Sequence, residues 1–226
     1  MTVVDNWGNL PLFPLNTVLF PGMLLPLRIF EERYKRMIDL CLEEKQPFGV
    51  VLIREGEEVG GSAVPYEVGT TATIQGVSRQ DDGKMSIVTV GKDRFRLRKV
   101  HRDLPYLVGE AEPWPLREAV SQQAWEQVEP MRVLLHQYLQ LLSQAQGHKI
   151  EIEEIPDDPA TLALLVAVAL QVPLAQKQSL LSQPTVPQMF LAERAILHRE
   201  ERLLQYMIDT QEEQWEGGFS GYLAKN

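Results

Sequence analysis

The sequence predicts an α+β fold, in which a small N-terminal pseudo-β-barrel with one inserted helix precedes a C-terminal helical bundle. Short apolar runs separated by glycine and proline fill the first half of the chain, as is typical of barrel strands. One amphipathic segment, 30–45, interrupts these runs and indicates a helix. After Arg117, Gln, Glu, Leu and Ala dominate with helical spacing. We therefore expect a barrel at 1–116, a helical bundle at 117–210 and a polar tail at 211–226.

Prolines, glycines and apolar runs mark the predicted strands in order. Proline cannot donate a ladder hydrogen bond, so the apolar run Leu10–Leu15, with Pro11 and Pro14, is expected at a sheet edge or at strand ends. Phe20-Pro21-Gly22 predicts a turn. Asp81-Asp82-Gly83 predicts a hairpin, because an Asp-Gly pair readily supplies the positive φ of tight turns. The other strands are predicted at Met23–Ile29, Phe48–Ile53, Val68–Gln75, Met85–Val90, Arg94–Val100 and Tyr106–Ala111.

Helical spacing and capping residues mark the predicted helices of the second half. The segment 118–144 places its apolar residues on one side. Asp158-Pro159 opens the next helix, which is apolar nearly all round and is expected at the centre of the bundle. A short helix is predicted at Leu174–Leu181, and a long last helix begins at Thr185 or Pro187. The polar tail carries three aromatic residues to which we assign no role: Trp215, Phe219 and Tyr222.

Charge and cysteine content exclude several classes of protein. The 226 residues include 22 Lys and Arg against 31 Asp and Glu, giving a formal net charge of −9. Such an acidic balance argues against a general nucleic-acid binder and against docking on anionic lipid. Cys41 is the only cysteine, which excludes an intrachain disulfide and favours a reducing compartment. No secretory signal opens the chain, and the longest apolar run, Leu162–Leu170, is far shorter than the ~20 residues of a membrane span. We therefore expect a cytoplasmic protein.

The residues that could perform catalysis form no recognisable constellation. Cys41 lies in an apolar helical stripe, which favours a buried structural thiol. His198 and Glu201 share a helix face and could supply two metal ligands, but a local polar pair is the favoured interpretation. Gly83-Lys84 is followed by Met85, so the P-loop pattern fails. The sequence predicts no catalytic residue, no metal site and no cofactor, and the protein is not expected to be an enzyme.

A basic stripe suggests one binding surface. Arg94, Arg96 and Arg98 alternate with Phe95 and Leu97, and alternation in a strand would send the arginines outward. The favoured interpretation is a solvated strand face. The alternative is a stripe for an acidic partner or for phosphate, and it motivates an RNA-binding hypothesis.

An apolar patch suggests another binding surface. Leu15, Pro26 and Met85 lie beside turns rather than in the middle of strands, so we expect them at the barrel rim. Tyr34 is expected to line a groove between the barrel and the helices. These four residues are the predicted protein-binding site.

Several motifs together resemble the N-terminal domain of Lon proteases. The resemblance spans roughly residues 10 to 210 and is most specific at the start of the chain. One departure is Asn16-Thr17, where many members of the family have Arg-Asp. The matching segments are Leu10-Pro11-Leu12-Phe13-Pro14-Leu15, Val18-Leu19-Phe20-Pro21-Gly22, Leu25-Pro26-Leu27, Phe30-Glu31-Glu32-Arg33-Tyr34, Val68-Gly69-Thr70-Thr71-Ala72, Asp82-Gly83, Gly91 to Arg96, Pro105-Tyr106 and Gln176-Lys177-Gln178-Ser179-Leu180-Leu181.

This resemblance implies a PUA-like barrel followed by a helical bundle. In full-length Lon such a domain engages unfolded or tagged substrates and helps to hold the hexamer together, ahead of ATPase and Ser-Lys peptidase modules. Neither module is visible in this sequence, so ATP-dependent proteolysis is not expected of it. The resemblance implies a non-catalytic module that recognises unfolded or exposed segments of client proteins, as an adaptor or regulator of proteolysis. A Lon-type protease is an implied partner, and a homo-oligomer is left open.

Overall fold

The computed structural model describes residues 7–58, 63–81, 83–147, 149–150 and 154–223, with side chains described as far as residue 210. The chain divides into two compact units. The first comprises Met1–Arg117 and Ala167–Pro184, and the second comprises Glu118–Val166 and Thr185–Asn226. Segment 167–184, which we expected in the helical bundle, therefore belongs with the strands. Asp82, in the predicted hairpin, lies outside the described residues.

The first unit is a barrel of strands with one inserted helix. Its sheet runs β1-β7-β6-β5-β3-β4, and a further parallel pairing of β1 with β3 closes the ring. Strand β2 pairs antiparallel with β6 outside this path. The elements are β1 Leu10–Leu15, β2 Leu24–Ile29, α1 Glu32–Glu43, β3 Phe48–Glu55, β4 Val64–Pro65, β5 Val68–Arg79, β6 Met85–His101, β7 Leu107–Pro113 and, later in the chain, α4 Leu174–Leu181. The predicted α+β fold is confirmed.

Strand β1 closes the ring, although its prolines predicted an edge or strand ends. It pairs with β7 over Leu10–Leu12 and with β3 over Leu12–Leu15. Pro11 is therefore flanked in register only by β7, and Pro14 only by β3. Proline has no backbone N–H to donate. Each of these prolines lies in a part of β1 that has only one neighbouring strand, so the sheet accommodates both.

Strand β6 is continuous, whereas the sequence predicted one strand at 85–90 and another at 94–100. The pairing with β5 shifts register between Thr70 and Ala72, opposite the polar pair Lys92-Asp93. The Asp93 N–H donates to Thr71 Oγ1 at 2.9 Å, which holds the ladder together across the shift. A bulge thus replaces the predicted break, because a bulge absorbs one extra residue without ending the strand.

Helix α1 supplies one wall of the barrel core. Its buried residues, Tyr34, Met37, Ile38 and Cys41, join a cluster with inward side chains of the strands. Burial of apolar surface at roughly 25 cal/mol per Å² is the main force that holds the helix on the sheet. The strand and loop members of the cluster are Phe13, Leu15, Leu19, Ile29, Phe48, Val50, Ala72, Met85, Ile87, Tyr106 and Val108.

The second unit is helical. Helices α2 (Gln122–Gln146) and α5 (Val186–Leu223) pack along each other. Ser121 caps α2 by accepting from the Ala124 N–H at 3.2 Å. Asp158 caps α3 (Pro159–Ala169), as predicted, by accepting from the Thr161 N–H at 2.8 Å. The last residues of α3 belong to the first unit.

Helix α5 continues through Leu223, so the helix covers most of the stretch predicted as a polar tail, 211–226. The side chains of Trp215, Phe219 and Tyr222 lie outside the described residues. In the part of the chain that the structure describes, no helix combines the length and apolar character that crossing a membrane requires.

Candidate functional site

The two candidates for chemistry weighed from the sequence, the Cys41 thiol and the His198–Glu201 pair, lie in a buried position and in a local helical pair. No cluster of three or more His, Cys, Asp or Glu side chains suited to a metal ion occurs among the described residues. His198 Nδ1 lies 3.4 Å from Glu201 Oε2, which is the local helical pair favoured from the sequence. Cys41 is buried on the inner side of α1. Burial, with a smaller contribution from the nearby Glu44 carboxylate, raises the pKa of the Cys41 thiol to about 12.

We expect Cys41 to be inert toward thiol reagents in the native protein. At pH 8 a thiol with so high a pKa is almost entirely protonated, and only the thiolate reacts. Native labelling by a chromogenic disulfide reagent should be at least about a hundredfold slower than labelling in urea. The urea sample controls for reagent quality and should give one thiol per chain, because Cys41 is the only cysteine. Fast native labelling would contradict this assignment.

The predicted arginine stripe is not a stripe in the structure, because Arg94 is buried. Its Nη1 donates to the backbone carbonyls of Leu181, at 2.6 Å, and Gln183, at 2.8 Å. These carbonyls lie at the C-terminal end of α4, where a helix leaves acceptors unpaired. Arg94 and the next residue, Phe95, are both buried, so the expected alternation of exposed arginines and buried apolar residues does not hold at Arg94. Burial lowers the pKa of Arg94 to about 10, and the side chain therefore stays charged at neutral pH.

The other two arginines of the predicted stripe are engaged by separate partners. The Arg96 guanidinium lies 3.9 Å from the centre of the Trp114 ring, in a cation–π contact. Arg98 forms an ion pair with Glu112 at 2.7 Å. The three side chains therefore do not present one continuous basic surface for RNA or another polyanion.

The four predicted protein-binding residues separate into a buried group and one exposed residue. Leu15 and Met85 belong to the barrel core, and Tyr34 stacks on Phe13 with ring centres 4.2 Å apart. The expected positions of these three residues at the rim or in a groove are corrected by their burial. A position beside a turn does not set the direction of a side chain, whereas alternation along the strand does. Pro26 is exposed.

Pro26 belongs to an exposed face built by β2, β6 and β5. Cross-strand pairs align Leu24 with Val90, Pro26 with Val88 and Gly76, and Arg28 with Ser86 and Ser78. The opposite face of the same strands carries the buried Ile29, Met85, Ile87 and Thr89. We call the exposed surface the outer face, and its members are Leu24, Pro26, Arg28, Gly76, Ser78, Ser86, Val88 and Val90.

The centre of the outer face is an apolar groove of about 600 Å³. Leu24 is 64% exposed and Val88 is 44% exposed, although both are large and apolar. Gly76 puts no side chain into the groove, and a Cβ added there would meet nothing within 4 Å, so this position faces open space. The chain thus leaves a shallow apolar channel open along the strands.

A second pocket of about 460 Å³ continues this channel toward the β5–β6 hairpin. The two pockets share Arg28 and Ser86, and the second also includes the exposed ring of Phe30. Met85, predicted as a contact residue, lines this pocket although its own side chain is almost completely buried.

Val88, Gly76 and Arg28 were not among the predicted site residues. One signal in the sequence could have pointed to Val88. In Met85–Val90 the apolar residues occupy both alternating sets, so Val88 and Val90 lie on the opposite face of the strand from Met85 and Ile87. No such pattern in the sequence marks Gly76. Its place in the groove depends on the register in which β5 pairs with β6.

Comparison with known proteins shows that the chain is similar to one domain of Lon proteases. The family model for the ATP-dependent protease La (LON) substrate-binding domain matches residues 9–199. The Lon protease of Anaeromyxobacter dehalogenans is 28% identical over 198 residues, which cover 86% of this chain and 24% of that protein. Lon protease 2 of Myxococcus xanthus is 28% identical over 201 residues, with the same coverage of 86% and 24%. The chain thus spans about a quarter of the length of these relatives.

Solved structures show the same similarity. A Lon N-terminal domain protein from Xanthomonas campestris superposes with a TM-score of 0.58 at 29% identity, covering 83% of this chain and 97% of that one. The N-terminal domain of the Mycobacterium avium complex Lon protease superposes with a TM-score of 0.59 at 21% identity, covering 84% and 98%. The second match supports the fold alone.

Proposed function

Since the chain belongs to the family of Lon substrate-binding domains, we propose that it is a non-catalytic module whose outer face holds unfolded or extended segments of client proteins. The observation that carries the proposal is the apolar groove around Val88 and Gly76 on an otherwise acidic protein. Apolar side chains that line an open groove lose their contact with water when an apolar segment covers them. That burial favours association by roughly 25 cal/mol per Å².

The geometry of β2 favours docking on the face of the sheet rather than on its edge. The Gly91 N–H donates to the Met23 carbonyl at 2.9 Å, and hydrogen-bonded positions alternate along an antiparallel pair. The Pro26 nitrogen therefore points away from β6, toward the side of β2 on which no partner strand occurs among the described residues. Proline has no N–H to offer there, so strand addition at this edge is hindered.

Replacing Val88 with aspartate should weaken client binding at least about tenfold. The substitution removes an apolar contact worth about 1.5 kcal/mol or more and places a carboxylate in the groove. Fluorescence anisotropy with a labelled unfolded polypeptide measures the dissociation constant. Val120→Asp is the matched control, because Val120 is 86% exposed and lies in the helical unit. Equal affinities of the Val88→Asp variant and the parent protein would contradict the proposed site.

Gly76→Gln tests the same groove without changing charge. The new side chain has open space and should fill the channel while leaving the melting temperature nearly unchanged. Binding should fall at least about fivefold, because the client would have to displace an amide that makes its own hydrogen bonds with water. Retained binding together with retained stability would exclude the groove as the contact surface.

Titrations with other probes separate this function from the RNA-binding alternative. The probes are the unfolded polypeptide, its natively folded counterpart and a short RNA, each at low and moderate salt. We expect binding of the unfolded polypeptide alone. RNA binding that strengthens as salt falls would instead support the alternative, since phosphate contacts release counterions.

We also propose that the module serves a Lon-type protease as an adaptor, which its family supports. We propose further that it acts in the cytoplasm, which its single free cysteine supports. A client that binds the outer face should then be degraded faster by a Lon protease when this protein is added. The Val88→Asp variant should not accelerate degradation. Size-exclusion chromatography with light scattering measures whether copies of the chain associate.

A further inference from the structure

The outer face changes from apolar to basic along β2. Leu24, Pro26 and Val88 form its apolar part, and the next row along the strands consists of Arg28 on β2, Ser86 on β6 and Ser78 on β5. Arg28 lines both the apolar groove and the pocket that continues it. A segment lying in the groove would therefore reach Arg28 next.

Arg28 is exposed on the outer face. Among the residues that the structure describes, no acidic side chain pairs with it. The acidic residues that follow Arg28 most closely in the sequence are engaged elsewhere, since Glu31 pairs with Arg33 at 2.9 Å and Glu32 with Lys35 at 2.8 Å. Exposed, unpaired arginines offer a planar set of donors that matches a carboxylate.

We propose, on the basis of the function proposed above, that the preferred client segment carries an acidic side chain two residues from its apolar anchor. The rows of Pro26 and Arg28 are two residues apart along β2, which corresponds to about 6.6 Å. Side chains two apart on an extended client point to the same face with the same spacing. An apolar residue over Val88 thus places the side chain two positions away over Arg28.

Four labelled peptides with amidated C-termini test this spacing. They share one apolar anchor and carry Glu two residues away, Gln two residues away, Lys two residues away, or Glu at the adjacent position. At low salt we expect the first peptide to bind roughly fivefold more tightly than the second, with the third weakest. Glu at the adjacent position should give no advantage over Gln, because its side chain points to the opposite face.

Arg28→Gln should abolish the preference for Glu, so that this variant binds the Glu and Gln peptides equally tightly. Arg98→Gln is the matched control, because Arg98 is a 62% exposed arginine outside the groove and should leave the preference intact. Arg28→Glu should reverse the preference in favour of the Lys peptide, which a merely structural role of Arg28 would not do.

The outcomes distinguish this inference from the proposed function. Equal binding of the Glu and Gln peptides, or a preference that survives Arg28→Gln, would overturn the inference and leave the apolar groove in place. Failure of every peptide to bind would overturn the proposed function as well.

Discussion

Replacing Arg94 with methionine should lower the free energy of unfolding by about 3 kcal/mol. The variant leaves the carbonyls of Leu181 and Gln183 without their buried donor, and each unpaired buried acceptor costs about 1–3 kcal/mol. Methionine retains part of the side-chain volume, so the loss reports mainly on hydrogen bonding. Urea denaturation monitored by circular dichroism measures the change as a lower midpoint at a constant slope.

Arg98→Met is the matched control for this experiment. Arg98 lies four residues along the same strand, but its ion pair with Glu112 is exposed and should contribute no more than about 1 kcal/mol. Arg94→Lys should fall between the parent protein and Arg94→Met, because an ammonium keeps the charge but lacks the planar set of donors. Similar stabilities of Arg94→Met and Arg98→Met would show that Arg94 does not hold α4.

Gly91→Ala should destabilise the barrel by about 3 kcal/mol. A Cβ at Gly91 would lie 2.3 Å from the backbone oxygen of Phe20, which is far closer than van der Waals contact allows. The two chain segments cannot simply move apart, because Gly91 accepts from the Gly22 N–H and donates to the Met23 carbonyl, each at 2.9 Å. Overpacking against a fixed backbone costs about 1–3 kcal/mol, and the lost hydrogen bonds add to it.

Gly76→Ala provides the comparison, since it makes the same chemical change in the same barrel. An added methyl at Gly76 meets nothing within 4 Å, so we expect unchanged or slightly higher stability. Thermal unfolding of both variants measures the difference. A melting temperature of Gly91→Ala close to that of Gly76→Ala would contradict the close approach between β6 and Phe20.

The barrel could be predicted because its signals are local. Apolar runs bounded by glycine and proline mark strands, and the stripe of 30–45 marks α1. The place of α4 could not be predicted, because it depends on hydrogen bonds between residues far apart in sequence. Gln178 reaches the Val68 carbonyl, and Arg94 reaches the end of the helix. From helical spacing alone, α4 is expected in the helical bundle, together with the helices that flank it in the sequence.

The candidate site could also be predicted only in part from local signals in the sequence. Pro26 was selected for its position beside a turn, and it is exposed. Leu15 and Met85 were selected for the same reason and are core residues. Whether Pro26 or Met85 faces outward depends on the register of β2, β5 and β6, and a shift by one residue would exchange the two faces. The groove arises from β2 and the β5–β6 hairpin, which α1, β3 and β4 separate in the sequence, so its residues carry no common local signal.

The contacts of Arg94 also determine when the protein can mature during synthesis. Its carbonyl partners lie 87 and 89 residues later in the chain. A nascent chain released from the ribosome as far as β7 can pair its strands, but Arg94 lacks the two carbonyls at the end of α4 until that helix has been translated. Translation of the helical segment 118–166 must therefore finish before the barrel reaches its final stability. Until then the emerging barrel is itself a partly folded chain, and this interval is when a chaperone would have most access to it.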